Sequence, residues 1–306
     1  MEVAILLLNQ IVQLFLMILM GILLVKSGVL RAGQSKSLSV VVLYIVMPCV
    51  IIHAFQVDYT KEIRNGLLLA LLAAVIIHLI MLLVTEVLSR LCHMDAVEKV
   101  SVIYSNSGNL IIPIVTGVLG EEWVIYSSAF MCVQLILMWT HGKSVLCGEK
   151  GGDLKKILTN VNMIAILLGI VLFLLRIKLP SILEGTIASV SSMVGPISMI
   201  ITGMLIGGMS LKKIVGYHRV WLMTFFRMIL IPAIILIVLK VSGLSGLHPD
   251  GDTILLISFL ASITPAASTM TQMAQIYGKD ADYASVINVV TTVVCIITMP
   301  LMVLIY

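Results

Sequence analysis

Apolar stretches long enough to cross a bilayer follow one another along this chain, with only short polar loops between them. A transmembrane helix needs about 20 mostly apolar residues. Because the hydrocarbon core holds no water, a spanning segment has to satisfy its own backbone hydrogen bonds, as a helix does. Only 11% of the residues are charged, whereas a soluble domain carries roughly 25%. The mean hydropathy of +1.16 agrees with this, and the chain is predicted to be an all-α integral membrane protein.

The hydropathy pattern predicts ten transmembrane helices, and the first is too long to be the core of a signal peptide. Their bounds are Val3–Val25, Leu38–Phe55, Gly66–Leu88, Val100–Leu119, Trp123–Leu146, Val161–Leu175, Ile182–Met209, Val220–Val241, Thr253–Ile276 and Ala281–Ile305. The most linker-like loop lies at the midpoint. We therefore expect a first five-helix repeat over residues 1–147, a cytoplasmic linker over 148–160 and a second five-helix repeat over 161–306.

The Lys and Arg residues of the loops predict the orientation in the membrane. Loops after odd-numbered spans hold 13 of these residues, and loops after even-numbered spans hold five. Positive residues are in excess on the cytoplasmic side. The distribution predicts a protein of the plasma or inner membrane with both termini outside the cytoplasm. Because the charge lies in short loops, it indicates topology and not a nucleic-acid partner.

A faint internal repeat relates the two halves of the chain. Gly21 and Gly169 lie 148 residues apart, and so do Pro48 and Pro196. Spans four and nine are each interrupted by polar residues and a proline. Because each half has an odd number of spans, the halves would have opposite orientations, as in many secondary transporters. We therefore expect two inverted five-helix repeats with crossing broken helices four and nine.

Five consecutive polar or small residues, Ser105–Asn109, interrupt span four and are poorly suited to face lipid. Irregular backbone at membrane depth is tolerated only inside protein or beside a water-filled cavity. Gly and Asn tolerate left-handed backbone, so we expect Asn106, Gly108 and Asn109 at the end of a half-helix. Pro113 suits the first turn of the next half-helix, where a missing N–H has no cost.

Span nine contains a similar interruption at Ile263–Thr269. Ser262 and Thr264 are predicted to cap a half-helix with Pro265 at its first position. Two helix N-termini would then point into one cavity, where their partial positive charges favour an anion. The side chains expected to add hydrogen bonds there are Asn106, Asn109, Thr264, Ser268 and Thr269. The alternative interpretation is that Pro113 and Pro265 only kink packed helices.

Few other polar residues lie inside the predicted spans. Arg227 in span eight is expected to face the protein interior. There it would balance a substrate carboxylate, satisfy half-helix carbonyls or extend towards the cytoplasmic side. His78 in span three would either titrate or serve as a hydrogen-bonded packing residue. Gln134 in span five and Asn288 in span ten would line a cavity or join helices.

Residue patterns that other functions need are missing from the sequence. No Asp or Glu lies deep within a predicted span, although sodium/proton antiporters and proton pumps normally carry ions on such carboxylates. A glycine-rich phosphate loop with lysine is also missing, which argues against ATP-driven transport. The five Cys are scattered without metal-ligand spacing, and we find no pairing of nucleophile and base. The sequence therefore predicts neither an enzyme nor a bound cofactor or metal.

The residues of span four resemble a family signature. The run Asn106-Ser-Gly-Asn-Leu-Ile-Ile-Pro113 is similar to the Asn-x-Gly-Asn-x-x-x-Pro motif of the auxin efflux carrier family. This family includes plant PIN-type carriers and bacterial malonate and malate carriers. The C-terminal region is similar through Thr264-Pro-Ala-Ala-Ser-Thr-Met, Tyr277-Gly-Lys-Asp280 and Thr298-Met-Pro-Leu301. The resemblance covers the whole chain.

The resemblance implies a fold like that of sodium/proton antiporters or bile-acid symporters. Spans one, two, six and seven would form a scaffold that dimerises, and the other six spans would form a moving transport unit. It implies a small organic-anion substrate contacted by Asn106, Asn109 and the half-helix termini at Pro113 and Pro265. Gln134 would lie near this site. The expected partners are therefore the substrate, membrane lipid and a second copy of the chain.

The leading hypothesis for function is an elevator-type secondary transporter or exporter of mono- or dicarboxylates, with auxin-like acids among the candidates. The alternatives are a sodium-coupled organic-anion symporter of the bile-acid type and a membrane sensor or receptor on the same fold. The residues expected to bind the substrate are Asn106, Gly108, Asn109, Pro113, Gln134, Thr264, Pro265, Ser268 and Asn288. Arg227 and His78 are the candidates for a charge or proton role.

Overall fold

The computed structural model describes residues 2–148, 159, 161–209 and 216–306, without the side chains of residues 2–11, 14, 43, 109, 272, 275 and 276. Within this part of the chain the structure is helical and contains no β-strand. In the same residues, one isolated antiparallel bridge joins Ser105 to Ala266. Most of the predicted cytoplasmic linker lies outside the described residues.

The helices of the first half begin and end close to the predicted spans. They are α1 (Glu2–Lys26), α2 (Ala32–Ala54), α3 (Lys61–Cys92), α4 (Ala96–Ile103), α5 (Ser107–Val118) and α6 (Glu121–Cys147). A π-helical turn lies within α2 at Val42–Val46 and another within α6 at Met138–Gly142. Span four is thus represented by two short helices, α4 and α5, with a break between them.

The second half follows the same plan. Its helices are α7 (Val161–Leu174), α8 (Ser181–Ser191), α9 (Val194–Gly208), α10 (Val220–Val241), α11 (Gly251–Ser262), α12 (Ser268–Ile276) and α13 (Ala281–Ile305). Span nine is represented by α11 and α12, again with a break between them. A π-helical turn at Phe226–Leu230 interrupts α10 and carries Arg227. Such turns occur frequently at functional sites.

Six helical segments among the described residues are long and apolar enough to cross a membrane. They are Ala32–Ala54, Lys61–Cys92, Glu121–Cys147, Ser181–Gly208, Val220–Val241 and Ala281–Ile305. Large apolar side chains on their outer faces are exposed, such as Leu91 at 71% and Ile182 at 82%, which suits contact with lipid. The chain is a multi-pass membrane protein. Helices lie at all ten predicted positions, but ten crossings and inverted repeats stay predictions.

Side-chain caps fix the start of two helices that flank the broken ones. Thr60 Oγ1 accepts a hydrogen bond from the Ile63 N–H at 3.1 Å, at the start of α3. Asp280 Oδ1 accepts one from the Tyr283 N–H at 2.8 Å, at the start of α13. Each N-cap of this kind contributes about 1 kcal/mol to helix stability. Local sequence therefore sets where these two helices begin.

Helices α1 and α9 touch through glycines. A Cβ atom added to Gly21 would lie 2.2 Å from the carbonyl oxygen of Ile200, and one added to Gly203 would lie 2.0 Å from that of Ile18. Small residues permit this approach in membranes, where close packing holds helices together. The contact joins spans one and seven, two of the four that the sequence assigns to a scaffold.

Candidate substrate site at the helix crossing

Two breaks in the helices meet in the protein interior. The first break, Tyr104–Asn106, lies between α4 and α5, and the second break, Ile263–Ala267, lies between α11 and α12. Tyr104 has extended backbone, with φ −92° and ψ 128°, so the chain leaves the helix there and does not merely bend. The interpretation of two simple proline kinks is therefore wrong.

The two breaks are joined by backbone hydrogen bonds. The Asn106 N–H donates to the Pro265 carbonyl oxygen at 2.8 Å, and the Ala267 N–H donates to that of Tyr104 at 2.9 Å. These bonds flank the bridge between Ser105 and Ala266. A short antiparallel pairing therefore replaces the helical hydrogen bonds that each break gives up.

The prolines occupy different places from those that the sequence predicts. Pro113 lies inside α5, which begins six residues earlier at Ser107, so Gly108 and Asn109 belong to the new half-helix and not to the end of the old one. Pro265 lies in the extended backbone before α12, which begins at Ser268. A fixed φ near −65° suits both helix and extended backbone, and proline alone therefore does not mark where a helix restarts.

The predicted caps of the second break also act differently. The Ser262 hydroxyl donates to the Phe259 carbonyl oxygen at 2.6 Å, and the Thr264 hydroxyl donates to that of Ala261 at 3.0 Å. Both side chains therefore bind the helix that precedes them, and the prediction that they cap the next half-helix is wrong. Hydroxyl groups often form such local bonds to a carbonyl three or four residues earlier.

Gln134 on α6 binds the first break. Its Oε1 accepts the Ser105 N–H at 3.1 Å, and its Nε2 donates to the Ser105 carbonyl oxygen at 2.9 Å. Nε2 also donates to the Ser107 hydroxyl at 2.9 Å. One side-chain amide thus satisfies both backbone groups of Ser105 that point away from the other break.

Two side chains of α13 bind the second break. The Ala266 N–H donates to Thr291 Oγ1 at 3.1 Å, and Asn288 Nδ2 donates to the Ala266 carbonyl oxygen at 2.5 Å. Backbone groups at membrane depth need such partners, since water is not available to them. Gln134 and Asn288 therefore join helices at the crossing, while contact of either with a substrate stays a prediction. Thr291 was not predicted, although the pair Thr291-Thr292 inside an apolar span was a usable signal.

Arg227 on α10 lies against the C-terminal ends of α4 and α11, and its side chain is 0% exposed. Nη1 donates to the carbonyl oxygens of Val102 and Ile103 at 3.1 and 3.4 Å. Nη2 donates to those of Ser262 and Thr264 at 2.6 and 2.8 Å. Of the three sequence interpretations, the structure thus shows contact with half-helix carbonyls, and extension to the cytoplasmic side is wrong.

The N-terminal ends of α5 and α12 lie next to each other. The Ser268 hydroxyl approaches Asn106 Oδ1 at 3.5 Å, across the crossing. Asn106 is buried, and a Cβ atom added to Gly108 would meet only Met47 Cε, at 3.8 Å. The side chain of Asn109 lies outside the described residues, but its backbone belongs to the first turn of α5. The structure therefore brings Asn106, Gly108 and Ser268 together at one place.

An apolar pocket opens beside the crossing, with about 380 Å³ of empty volume including its mouth. One wall comes from α1 and α9 through Phe15, Ile18 and Met199. The other wall comes from α5, the second break and α13, and it includes Ile114, Pro265 and Thr292. The pocket thus lies between the spans that the sequence assigns to the scaffold and those that it assigns to the transport unit.

His78 packs inside the protein. Its Nδ1 lies 2.7 Å from the Ala74 carbonyl oxygen, and its ring centroid lies 4.5 Å from that of Phe130. The residue is 1% exposed. These contacts are those of a hydrogen-bonded packing residue, and a proton role stays a prediction.

A charged cluster that was not predicted from the sequence joins several helix ends. Arg219 donates to both carboxylate oxygens of Glu98, at 2.6 and 2.7 Å, and the Tyr283 hydroxyl donates to Glu98 at 2.9 Å. The Glu98 carboxylate raises the pKa of Arg219 above its usual value. The partners lie 121 and 185 residues from Glu98, so no local pattern announces the contact.

A known family model matches both halves of the chain, including the two broken helices. The family model described as membrane transport protein, which is the auxin efflux carrier family domain, matches the chain twice, over residues 6–153 and 150–303. The chain belongs to the auxin efflux carrier family. No curated protein matches it in a sequence comparison. As a member of the auxin efflux carrier family, the protein is a membrane transport protein.

Proposed function

We propose that the protein is a carrier of small organic anions, namely mono- or dicarboxylates, and that it holds them at the N-terminal ends of α5 and α12. The observation that carries this proposal is the position of Arg227, which binds the C-terminal ends of the other two half-helices. Because Arg227 compensates the partial negative charge of the C-terminal ends, we assign the partially positive N-terminal ends to an anionic ligand.

Electrostatics at the crossing favours an anion. A helix N-terminus carries roughly +0.5 elementary charge and a C-terminus roughly −0.5, so the four half-helix ends alone nearly cancel. Arg227 adds a full positive charge, because a guanidinium stays protonated at neutral pH. Neither break contains Asp or Glu. The crossing therefore carries a net charge of about +1 before a substrate arrives.

The groups at the N-terminal ends suit a carboxylate. Backbone N–H groups in the first turn of a helix point outwards and bind anions readily. Gly108 leaves room for a ligand to approach the backbone of α5. We assign Asn106 and Ser268 as the side chains that orient the carboxylate, with Asn109 beside them.

The apolar pocket accounts for the organic part of the substrate. Its walls carry Phe15, Ile18, Met199 and Ile114 next to Pro265. An apolar wall next to a polar end selects an amphipathic acid over an inorganic anion, which gains nothing from apolar contact. A small acid with an apolar carbon skeleton is the expected cargo.

We also propose an elevator-type mechanism. The pocket is walled by helices of both the scaffold and the transport unit, so a shift between these units would change access to it. Two matches of one family model, one per half, support two inverted five-span repeats in the plasma or inner membrane. A dimer through the scaffold and external termini complete the proposal.

Counterflow in proteoliposomes tests this function. Vesicles are loaded with an unlabelled carboxylate and given the same radiolabelled acid outside, with malonate, malate and an aromatic acid compared. Saturable accumulation is expected for at least one acid. Asn106→Ala is expected to weaken binding about tenfold, because one hydrogen bond to a charged group is lost.

The control is Ser189→Ala, which removes the hydroxyl of an exposed residue of α8 that donates to the Gly185 carbonyl oxygen. This variant should transport like the unchanged protein. Absence of saturable counterflow for every mono- and dicarboxylate, with correctly folded protein in the vesicles, would contradict the proposal.

A further inference from the structure

The geometry points to a second role for the crossing: Arg227 is a built-in cation that fills a carbonyl cage which would otherwise take a monovalent alkali cation. We define the carbonyl cage as the backbone oxygens of Val102, Ile103, Ser262 and Thr264. The consequence that this occupancy has for ion coupling rests on the proposed carrier function. The occupancy of the cage by the guanidinium does not depend on that function.

The cage is assembled from two separate helices. Val102 and Ile103 end α4, and Ser262 and Thr264 lie at the end of α11, yet all four oxygens lie within 3.4 Å of a single guanidinium. Terminal carbonyls of a helix have no partner within that helix. The crossing turns two such ends towards one another, and a cation between them satisfies both.

Carbonyls of this kind are the ligands that a bound alkali cation uses. In transporters with broken helices, unwound backbone carbonyls and half-helix C-termini coordinate the coupling ion. A sodium or potassium ion and a guanidinium share the same requirement, which is several neutral oxygens with partial negative charge. The side chain of Arg227 therefore occupies the position and performs the charge compensation of such an ion.

The positive charge of Arg227 is not cancelled by an ion pair. Within the described part of the chain, its hydrogen bonds go to backbone carbonyls and none goes to a carboxylate. The two helix C-termini supply roughly −1 elementary charge between them, which matches the guanidinium. Removing the side chain would leave this partial negative charge buried without a partner.

A tethered cation cannot dissociate during a transport cycle. The π-helical turn Phe226–Leu230 fixes Arg227 within α10, and the residue moves only with its helix. The carrier is therefore expected to need no bound alkali cation, and the substrate charge and the membrane potential set the direction of transport. A sodium-coupled symporter would need the same cage to be open to the ion.

Thermal unfolding of purified protein in detergent tests the cage directly. Sodium or potassium chloride replaces choline chloride at constant ionic strength, so that only the identity of the cation changes. The Tm of the unchanged protein is expected to be the same in all three salts. Arg227→Ala is expected to have a lower Tm that rises saturably by about 5 °C with sodium or potassium, as binding to the folded state predicts.

Two variants control this result. Arg64→Ala removes an exposed guanidinium that bonds to the neutral Asn65 side chain outside the cage, and it should show no difference between the cations. Arg227→Lys keeps a tethered positive charge, and its Tm should not respond to sodium or potassium. A Tm of Arg227→Ala that is equal in choline, sodium and potassium would overturn the proposal, and so would a response of Arg227→Lys as large as that of Arg227→Ala.

A second measurement does not depend on the folding of Arg227→Ala. Equilibrium binding of ²²Na⁺ to the unchanged protein should give no saturable site, and counterflow should continue when choline replaces sodium. Stoichiometric sodium binding would overturn the tethered-cation proposal alone. A failure of counterflow with every acid would instead contradict the carrier function and leave the cation result standing.

Discussion

At the first break, Gln134 binds both the N–H and the carbonyl oxygen of Ser105, whereas at the second break Thr291 and Asn288 divide the same two groups of Ala266 between them. The backbone geometry is alike in both places, because each residue belongs to the same antiparallel bridge. The side chains that satisfy it are not alike. Similar backbone geometry at the two breaks therefore leaves only a weak trace in the sequence.

Of the substitutions at the two breaks, Gln134→Leu is expected to lower the free energy of unfolding most. It leaves two buried backbone groups of Ser105 without partners, and each such group costs about 1–3 kcal/mol. We expect a loss of roughly 2–4 kcal/mol in the free energy of unfolding. Denaturation in mixed micelles measures it, and a loss below that of Asn288→Ala would show that Ser105 finds other partners.

Asn288→Ala should cost about half as much, because Thr291 still binds the Ala266 N–H and only the carbonyl loses its partner. Thr291→Val should produce a loss of similar size, because the Ala266 N–H then loses its partner while Asn288 still binds the carbonyl oxygen. The double variant is then expected to match Gln134→Leu, at roughly 2–4 kcal/mol. A double variant no less stable than either single one would mean that the two side chains do not share the second break.

Ser268→Ala tests the N-terminal side of the comparison. Its hydroxyl approaches Asn106 from the other half of the chain at 3.5 Å. This long contact contributes little to folding, so the free energy of unfolding should change by less than about 0.5 kcal/mol. Carboxylate affinity, measured by calorimetry, should fall about fivefold to tenfold. Unchanged affinity would restrict the site to α5.

Pro265→Ala is expected to have only a small effect on the free energy of unfolding. Pro265 contributes its carbonyl oxygen to the bridge, and the Asn106 carbonyl oxygen that its missing N–H would face already accepts the Leu110 N–H at 3.2 Å. The remaining effect is the greater conformational freedom of the unfolded chain, which lowers the free energy of unfolding by about 0.4–1 kcal/mol. If α11 and α12 instead joined into one continuous helix, the variant would lose its transport rate while its free energy of unfolding changed little. That result would contradict this view.

The sequence predicted most of the helix bounds and both interrupted spans. Val220–Val241 and Ala281–Ile305 begin and end where hydropathy places them. Hydropathy works here because lipid tolerates no unsatisfied backbone. The burial of Arg227 followed from the cost of an exposed charge in hydrocarbon, but its four carbonyl partners come from two distant helices and had no local signal.

The details of the crossing were not predictable from proline positions. Asn106, Gly108, Ser268 and Pro265 lie at the crossing and their contact with a substrate stays a prediction, whereas Pro113 lies well inside α5. Which residue of a polar run is extended depends on the opposite break, and that break is more than a hundred residues away. The cluster of Glu98, Arg219 and Tyr283 was missed for the same reason.

The bridge between Ser105 and Ala266 joins two residues that are synthesised far apart in time. During synthesis the first break enters the membrane before α11 exists, so the hydrogen bonds that join the Tyr104 carbonyl oxygen and the Asn106 N–H to the second break form only later. Arg227, which binds the end of α4, arrives later as well. A nascent chain that contains only the first half therefore holds polar backbone in hydrocarbon, where it costs several kcal/mol per group. Insertion of the second half completes the first, so a chain truncated near residue 148 is expected to be recognised by quality-control proteases and not to persist as a stable domain.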